Sequence, residues 1–553
     1  MAGRGRSQLR HRADDQCQWG RGNAMRLSQT VRPEFLSAQD AVDRIPDQAR
    51  LLVEASGGGV IEPSGLLDAL ADRYRRTGGP GQLAAYFCSG IGNRSGSGMD
   101  VLALPGLLRS AIAGHWAMTP ALSRMAHDGD IEAYNLPQGV LAQLLRESAA
   151  KRPGLITKVG LGTFCDPRQG GGRLNNATTT ELVQVMEINS EEYLFYPSPS
   201  FDVAFIRGTT ADEHGNLTME HETAKLGVLA AATATRNNGG LVIAQVKRVA
   251  AAHTLNPKSV VVPGHLIDIV VVQEDQWQTA INEYNPAFSG EVYVPFGRSP
   301  AMPLSERKVV ARRALDEIRP ASVVNLGVGM ADGVATAALE EGRLQEITLT
   351  VEQGMVGGVP ERGVIFGVSW NPEAVIEHAS QFDFYDGGGL DVACLGFAEV
   401  DREGNVNSSL VDGRIFGAGG FINISQSAKK VVFCGTLTAG GLTIDLADGY
   451  PKVTSEGRHR KFIDKVRQIT FNAHLARERG QEVIYVTERA VFTLGDDGPV
   501  LTEVAPGWTI DQVIALMDFR PKLADDVRLM SGSLFSAATR NPDIPNIPIT
   551  EEN

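Results

Sequence analysis

The feature that most constrains this chain is that it repeats itself. Residues 201–216, FDVAFIRGTTADEHGN, lie without a gap against residues 390–405, LDVACLGFAEVDREGN, sharing Asp-Val-Ala early and Asp-x-x-Gly-Asn at the end. Each copy reads as strand, loop and tight turn. In the same register Leu241-Val242-Ile243-Ala244 meets Lys430-Val431-Val432-Phe433, a second apolar strand. Chance gives one such match, whereas two in register favour duplication. Earlier segments pair at a larger offset: residues 49–55, the turn Ser56-Gly57-Gly58-Gly59 and the helical run 63–74 mirror residues 321–326, the turn Gly327-Val328-Gly329-Met330 and the helical run 334–344. Units of strand, glycine turn and helix, with near-continuously apolar strands, belong to mostly parallel sheets covered on both faces. The expected fold class is α/β: two related domains built on open, mostly parallel sheets.

At 553 residues the chain is too long for one core. Composition places a disordered extension at 1–32, which holds seven arginines, a first domain at 33–280 and an ordered, proline- and glycine-bearing linker at 281–301. A second domain follows at 302–520, and a tail at 521–553 with Pro542, Pro545 and Pro548. Met25, just ahead of the first globular-looking segment, is an alternative start, and a presequence is another reading of the extension. The net charge of −13 argues against a nucleic-acid or anionic-membrane surface, which needs a clustered basic face. No apolar run reaches the length of a membrane span. Cys17, Cys88, Cys165, Cys394 and Cys434 form no CxxC pair and read as reduced thiols, which fits the cytoplasm.

Glu352 ends the β-branched run Leu349-Thr350-Val351 and precedes Gly354, Gly357 and Gly358. A carboxylate at a strand end among glycines is either a solvated loop residue or a nucleophile presented with backbone N–H groups nearby. The turn at Gly327, Gly329 and Gly333 invites a dinucleotide reading, yet Asp332 stands where the third glycine belongs. What survives is room for a ligand near the backbone and helix-start N–H groups suited to a phosphate or an oxyanion. Residues 160–172, 387–389 and 417–421 are richer in glycine than connections require, so a ligand or another backbone passes close to each. No phosphate loop and no GxSxG elbow occurs. His115, His378 and His459 sit at no catalytic or metal-binding spacing and read as structural.

Four longer motifs are Tyr134-Asn135-Leu136-Pro137-Gln138-Gly139, residues 158–168, residues 381–389 and residues 417–421. Through them the chain, from about residue 40 to 530, resembles the family I coenzyme A transferases, in particular the single-chain propionate and acetate branch. The resemblance implies that the two halves correspond to the separate α and β subunits of relatives. It also implies that Glu352 is the nucleophile and that the amide of Gln138 faces the acyl group. Gly327, Val328, Gly329, Met330 and Ala331 would contact coenzyme A, with the Val328 N–H as an oxyanion donor. Gly419, Gly420 and Phe421 would border the acyl site, and Asn407 and Gly440 would be further pocket positions. Many two-subunit relatives carry a lysine where Gly440 falls, which puts a cation there in question.

The chemistry suits these residue types. A glutamate of ordinary pKa, about 4.3, is ionised at neutral pH and needs no partner base. It can attack a thioester, pass through a mixed anhydride and hold coenzyme A as a glutamyl thioester, provided that water is excluded. Acyl-CoA and short-chain carboxylic acids are the expected partners, in a homo-oligomer (dimer or tetramer), without metal or permanently bound cofactor and without nucleic acid or membrane. The alternatives are a hydrolase on the same fold, which releases free coenzyme A, and a non-covalent nucleotide-binding protein built on the Gly327 turn.

Overall fold

The computed structural model describes residues 32–295 and 302–540. Nearly all of the 1–32 extension, Cys17 with it, the end of the linker and residues 541–553 lie outside the described residues. In the first half eight strands form one parallel sheet in the order Glu34–Leu36, Ile269–Val272, Leu241–Ala250, Val203–Asp212, Arg50–Val53, Leu83–Phe87, Leu108–Ala113 and Glu132–Asn135. In the second half Glu482–Val486, Lys430–Cys434, Val392–Gly396, Val323–Leu326 and Thr348–Thr350 are parallel neighbours in that order. These five occupy the places of Ile269–Val272, Leu241–Ala250, Val203–Asp212, Arg50–Val53 and Leu83–Phe87, so the duplication seen in the sequence is a duplication of sheet order. Antiparallel strands extend the second sheet at both edges.

The apolar runs form strands because helices cover both sheet faces, and every residue of Val203–Asp212 is buried. The helix Ser64–Thr77 buries Leu66, Leu67, Leu70 and Ala71 along one stripe, and Gly78 ends it in the left-handed conformation, with its N–H on the Tyr74 carbonyl. The helix Gln138–Ala149 buries almost its whole circumference. It is pressed between the halves, where His378–Asp386 of the second half packs on it. The first-half core also takes in Val351, Met355, Ile415, Ala418 and Ile422 from beyond the linker, so apolar packing is continuous between the halves.

The linker is ordered as far as it is described. Its short helix Pro286–Ser289 is capped by Asn285, and Phe288 meets Trp370 edge-on at 4.9 Å. The 521–553 tail is corrected by the structure. Lys522–Leu529 pairs in parallel with Gly498–Val504, Leu534 and Phe535 are fully buried, and Arg540 bonds Glu341 and Asp316. The prolines that suggested an extended tail begin only at 542. The strand before them sits at a sheet edge, where most of its side chains face solvent and leave no alternating apolar signature. Cys88, Cys165, Cys394 and Cys434 are free and buried.

Phe535 fills the core of the second half, so Phe535→Ala is expected to cost about 3–5 kcal/mol. Denaturant unfolding checks this, and an unchanged midpoint would return the segment to the status of a dispensable tail.

Candidate active site

Glu352 follows the strand Thr348–Thr350 at the carboxyl edge of the second sheet, beside Val323–Leu326, whose own carboxyl end carries the Gly327 turn. Open parallel sheets place ligands at this edge. The Val351 N–H donates to Met355 O and the Gly354 N–H donates to Val351 O, both at 2.9 Å, so Glu352 and Gln353 stand at the tip of a tight turn. Gly354 is required there: its φ is +111°, and a Cβ would lie 2.1 Å from Ile376 O. Gln353 Nε2 donates to Ser56 Oγ at 3.2 Å, and that hydroxyl lies 2.9 Å from Ser89 Oγ. A first-half glycine turn therefore clamps the second-half nucleophile candidate.

Gln138 opens its helix after Pro137, and its N–H donates to Gly419 O at 3.0 Å. The Gly419 N–H in turn donates to Gly114 O at 2.7 Å. Consecutive glycines face the two side chains from opposite halves. A Cβ on Gly419 would stand 3.5 Å from Gln138 Oε1, and one on Gly420 would stand 3.2 Å from Glu352 Oε2. The loop 417–420 thus has the carboxamide beside one of its glycines and the carboxylate beside the next. Phe382 completes the wall, its ring 3.1 Å from a Cβ on Gly420 and 2.4 Å from one on Gly139.

Glu352 is only partly exposed, and among the described residues its carboxylate has no hydrogen bond or ion pair. Burial alone pushes its pKa up to about 7. This corrects the expectation of a fully ionised glutamate of ordinary pKa, because a strand end that looked open in the sequence is roofed by the 417–420 loop and Phe382. Desolvation lowers the pKa values of part-buried His115 and fully buried His378 to about 4 and about 3, and the Arg94 charge adds to the effect at His115. Both are neutral, so neither offers the carboxylate a counter-charge.

The remaining sequence candidates divide. Val328 is 46% exposed, and its N–H has no protein acceptor among the described residues, as an oxyanion donor requires. Gly329, with φ +98°, faces open space, whereas its N–H is spent on Asp332 at 3.2 Å. Gly327 closes onto Leu395, Met330 is part-exposed and Ala331 is buried. Phe421 stacks on Phe433, ring centroids 5.9 Å apart, and so supports the loop from behind. Asn407 is buried, and its carboxamide is fully engaged: it donates to Glu399 and Leu410 O and accepts from the N–H groups of Ser409 and Leu410. It shapes the turn that leads to Phe416 and leaves nothing for a ligand. Gly440 lies against His459, next to the paired strands Thr438–Ala439 and His459–Arg460.

Sequence reasoning missed His115 and His378. His378 Nε2 stands 3.0 Å from Gln138 Nε2, and the His115 ring lies 3.5 Å from a Cβ on Gly419. No spacing links either to its partner, and only their closeness to the glycine-rich motifs hinted at a place near the site. The glycines at 160–172 are explained by packing: Asn472 Nδ2 donates to Gly162 O at 2.9 Å, and the Phe164 N–H donates to Ile469 O at 2.8 Å.

Residues 35–273 match the profile of the Coenzyme A transferase family. The chain is 46% identical over 519 residues to the acetate CoA-transferase YdiF of Escherichia coli K12, covering 93% of this chain and 97% of that one. It is 45% identical over 513 residues to a caffeate CoA-transferase of Acetobacterium woodii, covering 91% and 97%. An acyl-CoA transferase from E. coli O157:H7, solved as a thioester complex with CoA, superposes with a TM-score of 0.89 at 46% identity, over 94% of this chain and 99% of that one.

The raised pKa of Glu352 has a sign that can be checked. Folding raises it from 4.5 to about 7, so the folded state holds this proton more tightly than the unfolded state, and stability falls as pH rises between those values. Glu352→Gln removes that loss. Its melting temperature is expected to exceed the wild type's at pH 8 and to match it near pH 4, as measured by calorimetry; a gain equal at both pH values would contradict the burial.

Proposed function

Because this chain belongs to the coenzyme A transferase family, we propose that it exchanges coenzyme A between a short-chain acyl-CoA, of the acetate or propionate type, and a second carboxylate, with Glu352 as nucleophile. One observation carries the reading: a carboxylate with no protein partner, at the carboxyl edge of a parallel sheet, beside a glycine loop with a buried carboxamide on its far side. Glu352 attacks the thioester carbonyl, the C–S bond breaks and coenzyme A leaves as thiolate, giving a mixed anhydride. The thiolate then attacks the glutamyl carbonyl, the anhydride C–O bond breaks, and the first acid departs as carboxylate. The glutamyl thioester left behind is consumed by a second carboxylate in the reverse sequence. A relative solved as a thioester complex with CoA supports such a state.

Each tetrahedral intermediate carries an oxyanion, for which one fixed donor contributes about 10² to 10³ in rate. The Gln138 carboxamide and the free Val328 N–H are the donors of this proposal, with the 327–331 turn holding coenzyme A and the 419–421 loop bordering the acyl group. The burial that raises the Glu352 pKa also keeps water from the anhydride and the thioester. Caffeate, a bulkier acid than acetate, enters the name of one relative, so a panel of acids defines the acceptor range. A homo-oligomer in the cytoplasm, without a resident cofactor, completes the proposal. No helix of the described residues is long and apolar enough to cross a membrane.

Incubation with acetyl-CoA and no acceptor is expected to leave coenzyme A on Glu352, to be reduced by borohydride and located by peptide mass spectrometry. Glu352→Gln forms no adduct. Glu352→Asp is severely slowed, because the shortened side chain falls about 1 Å short of attack geometry. A label on another carboxylate would refute the assignment, and steady release of free thiol would make the protein a hydrolase. The nucleophile must be anionic, so kcat/KM for acyl-CoA is expected to fall about tenfold per pH unit below about 7 and to level off above it. A profile flat from pH 5 to 8 would show that the carboxylate is not desolvated in the free enzyme.

A further inference from the structure

Gln138 and His378 come from opposite halves and meet side chain to side chain, their Nε2 atoms 3.0 Å apart. They are 1% and 0% exposed. His378 begins the helix His378–Asp386, where its N–H donates to Leu226 O at 3.2 Å and its ring lies 5.3 Å from that of Phe382. The imidazole is neutral, so one ring nitrogen carries a proton and the other a lone pair. Among the described residues Nδ1 has no hydrogen-bond partner.

Two arrangements fit these positions, because the oxygen and nitrogen of a carboxamide are told apart only by their bonding network. In one the proton sits on Nδ1 and the Gln138 NH2 donates to Nε2. That leaves a buried N–H with no acceptor and points the carboxamide oxygen at Gly419. In the other the proton sits on Nε2 and is donated to the Gln138 oxygen. Nδ1 then keeps only an unused lone pair, and the NH2 group turns toward the Gly419 and Gly420 loop, where an oxygen in the cleft can accept from it as nothing among the described residues beside Nδ1 can. A buried donor without an acceptor is the rarer and costlier defect.

We infer that His378 is the Nε2–H tautomer and is a positioning residue, which holds the Gln138 carboxamide with its NH2 group facing the 419–420 loop and Glu352. The inference rests on the proposed oxyanion role of Gln138 and explains how that role is enforced. An oxygen facing the loop would repel a developing oxyanion, and a carboxamide free to rotate would spend part of its time in that state. The ring also explains why the residue is buried at the join between halves: its donor reaches Gln138 only when the second half is seated.

Neutron diffraction from crystals of the wild-type protein tests the tautomer directly. A deuteron on Nε2, none on Nδ1, and the Gln138 ND2 group turned to Gly419 are expected; a deuteron on Nδ1 overturns the inference. Kinetics test the role. Gln138→Ala is expected to lower kcat about 10²-fold with KM for acetyl-CoA nearly unchanged. His378→Phe, which keeps the ring and loses the donor, is expected to lower kcat by about 10-fold or more with KM within about twofold. The double variant should be no slower than Gln138→Ala, to within about twofold, because both changes act through one amide. Losses that multiply would mark His378 as a packing residue only and overturn its positioning role. Unchanged turnover in Gln138→Ala would remove the amide's role and the histidine's with it. The borohydride-trapped adduct on Glu352 is expected in all three variants, so its absence would instead count against the covalent reading itself.

Discussion

The structure turns on a short exchange of backbone hydrogen bonds between the two halves. Trp116 N–H donates to Phe416 O at 2.8 Å, Gly419 N–H to Gly114 O at 2.7 Å, and Gln138 N–H back to Gly419 O at 3.0 Å. Asn135 joins them, accepting from the Ala418 N–H at 2.9 Å while its own NH2 holds the Ala113 and Gly114 carbonyls. Each bond adds only about 1 kcal/mol, but a buried group left without its partner costs about 1–3 kcal/mol, so the halves have one seating in which all are satisfied. The fit is tight enough that a Cβ on Gly417 would lie 3.0 Å from the backbone nitrogen of Trp116. Every proposed reacting group is placed by that seating, since the carboxamide belongs to one partner in the exchange and the carboxylate to the other.

Glu54, Glu62 and Glu352 are all pushed up to about 7 by burial, and of these three Glu352 has no hydrogen bond or neighbouring charge to offset it. Several buried charges are paired, Arg207 with Glu222 at 3.0 Å and Arg489 with Glu488 and Glu456. Pairing is the usual condition for burying a charge, because desolvation otherwise dominates. Glu352 is denied it, and the two histidines nearest the glycine loop are kept neutral. A carboxylate that cannot lean on a cation or a water shell is a stronger nucleophile and a stronger base, which suits attack on a thioester more than it suits stability. The carboxyl group left with nothing to offset its burial lies where chemistry is proposed.

Much of this was legible in the sequence, for identifiable reasons. The sheet order could be read because its strands are buried on both faces and so carry apolar runs that survive duplication, as in residues 201–216 and 390–405. The place of Glu352 at a strand end could be read because a β-branched run gives way there to glycines. What could not be read depends on contact between segments far apart in the chain. The pKa of Glu352 follows from a roof supplied by the 417–420 loop and Phe382, and the meeting of His378 with Gln138 spans 240 residues. Asn407 misled for the converse reason: an asparagine turned inward to satisfy its own turn looks, as a letter, like one turned outward to a ligand. The edge strand Lys522–Leu529 was hidden by its polarity, since half its surroundings are water.

The strand order of the first sheet also has a consequence for synthesis. Its last member, Ile269–Val272, slots between Glu34–Leu36 and Leu241–Ala250, so the whole sheet can close before the ribosome has begun the second half. Chains emerge amino end first and domains fold as they appear. Ser56, Gly114 and the Gln138 helix therefore stand as a finished mould when Glu352 is translated. A chain that carried its two halves in the opposite order would expose a reactive carboxylate with nothing to receive it; this one makes the receiver first.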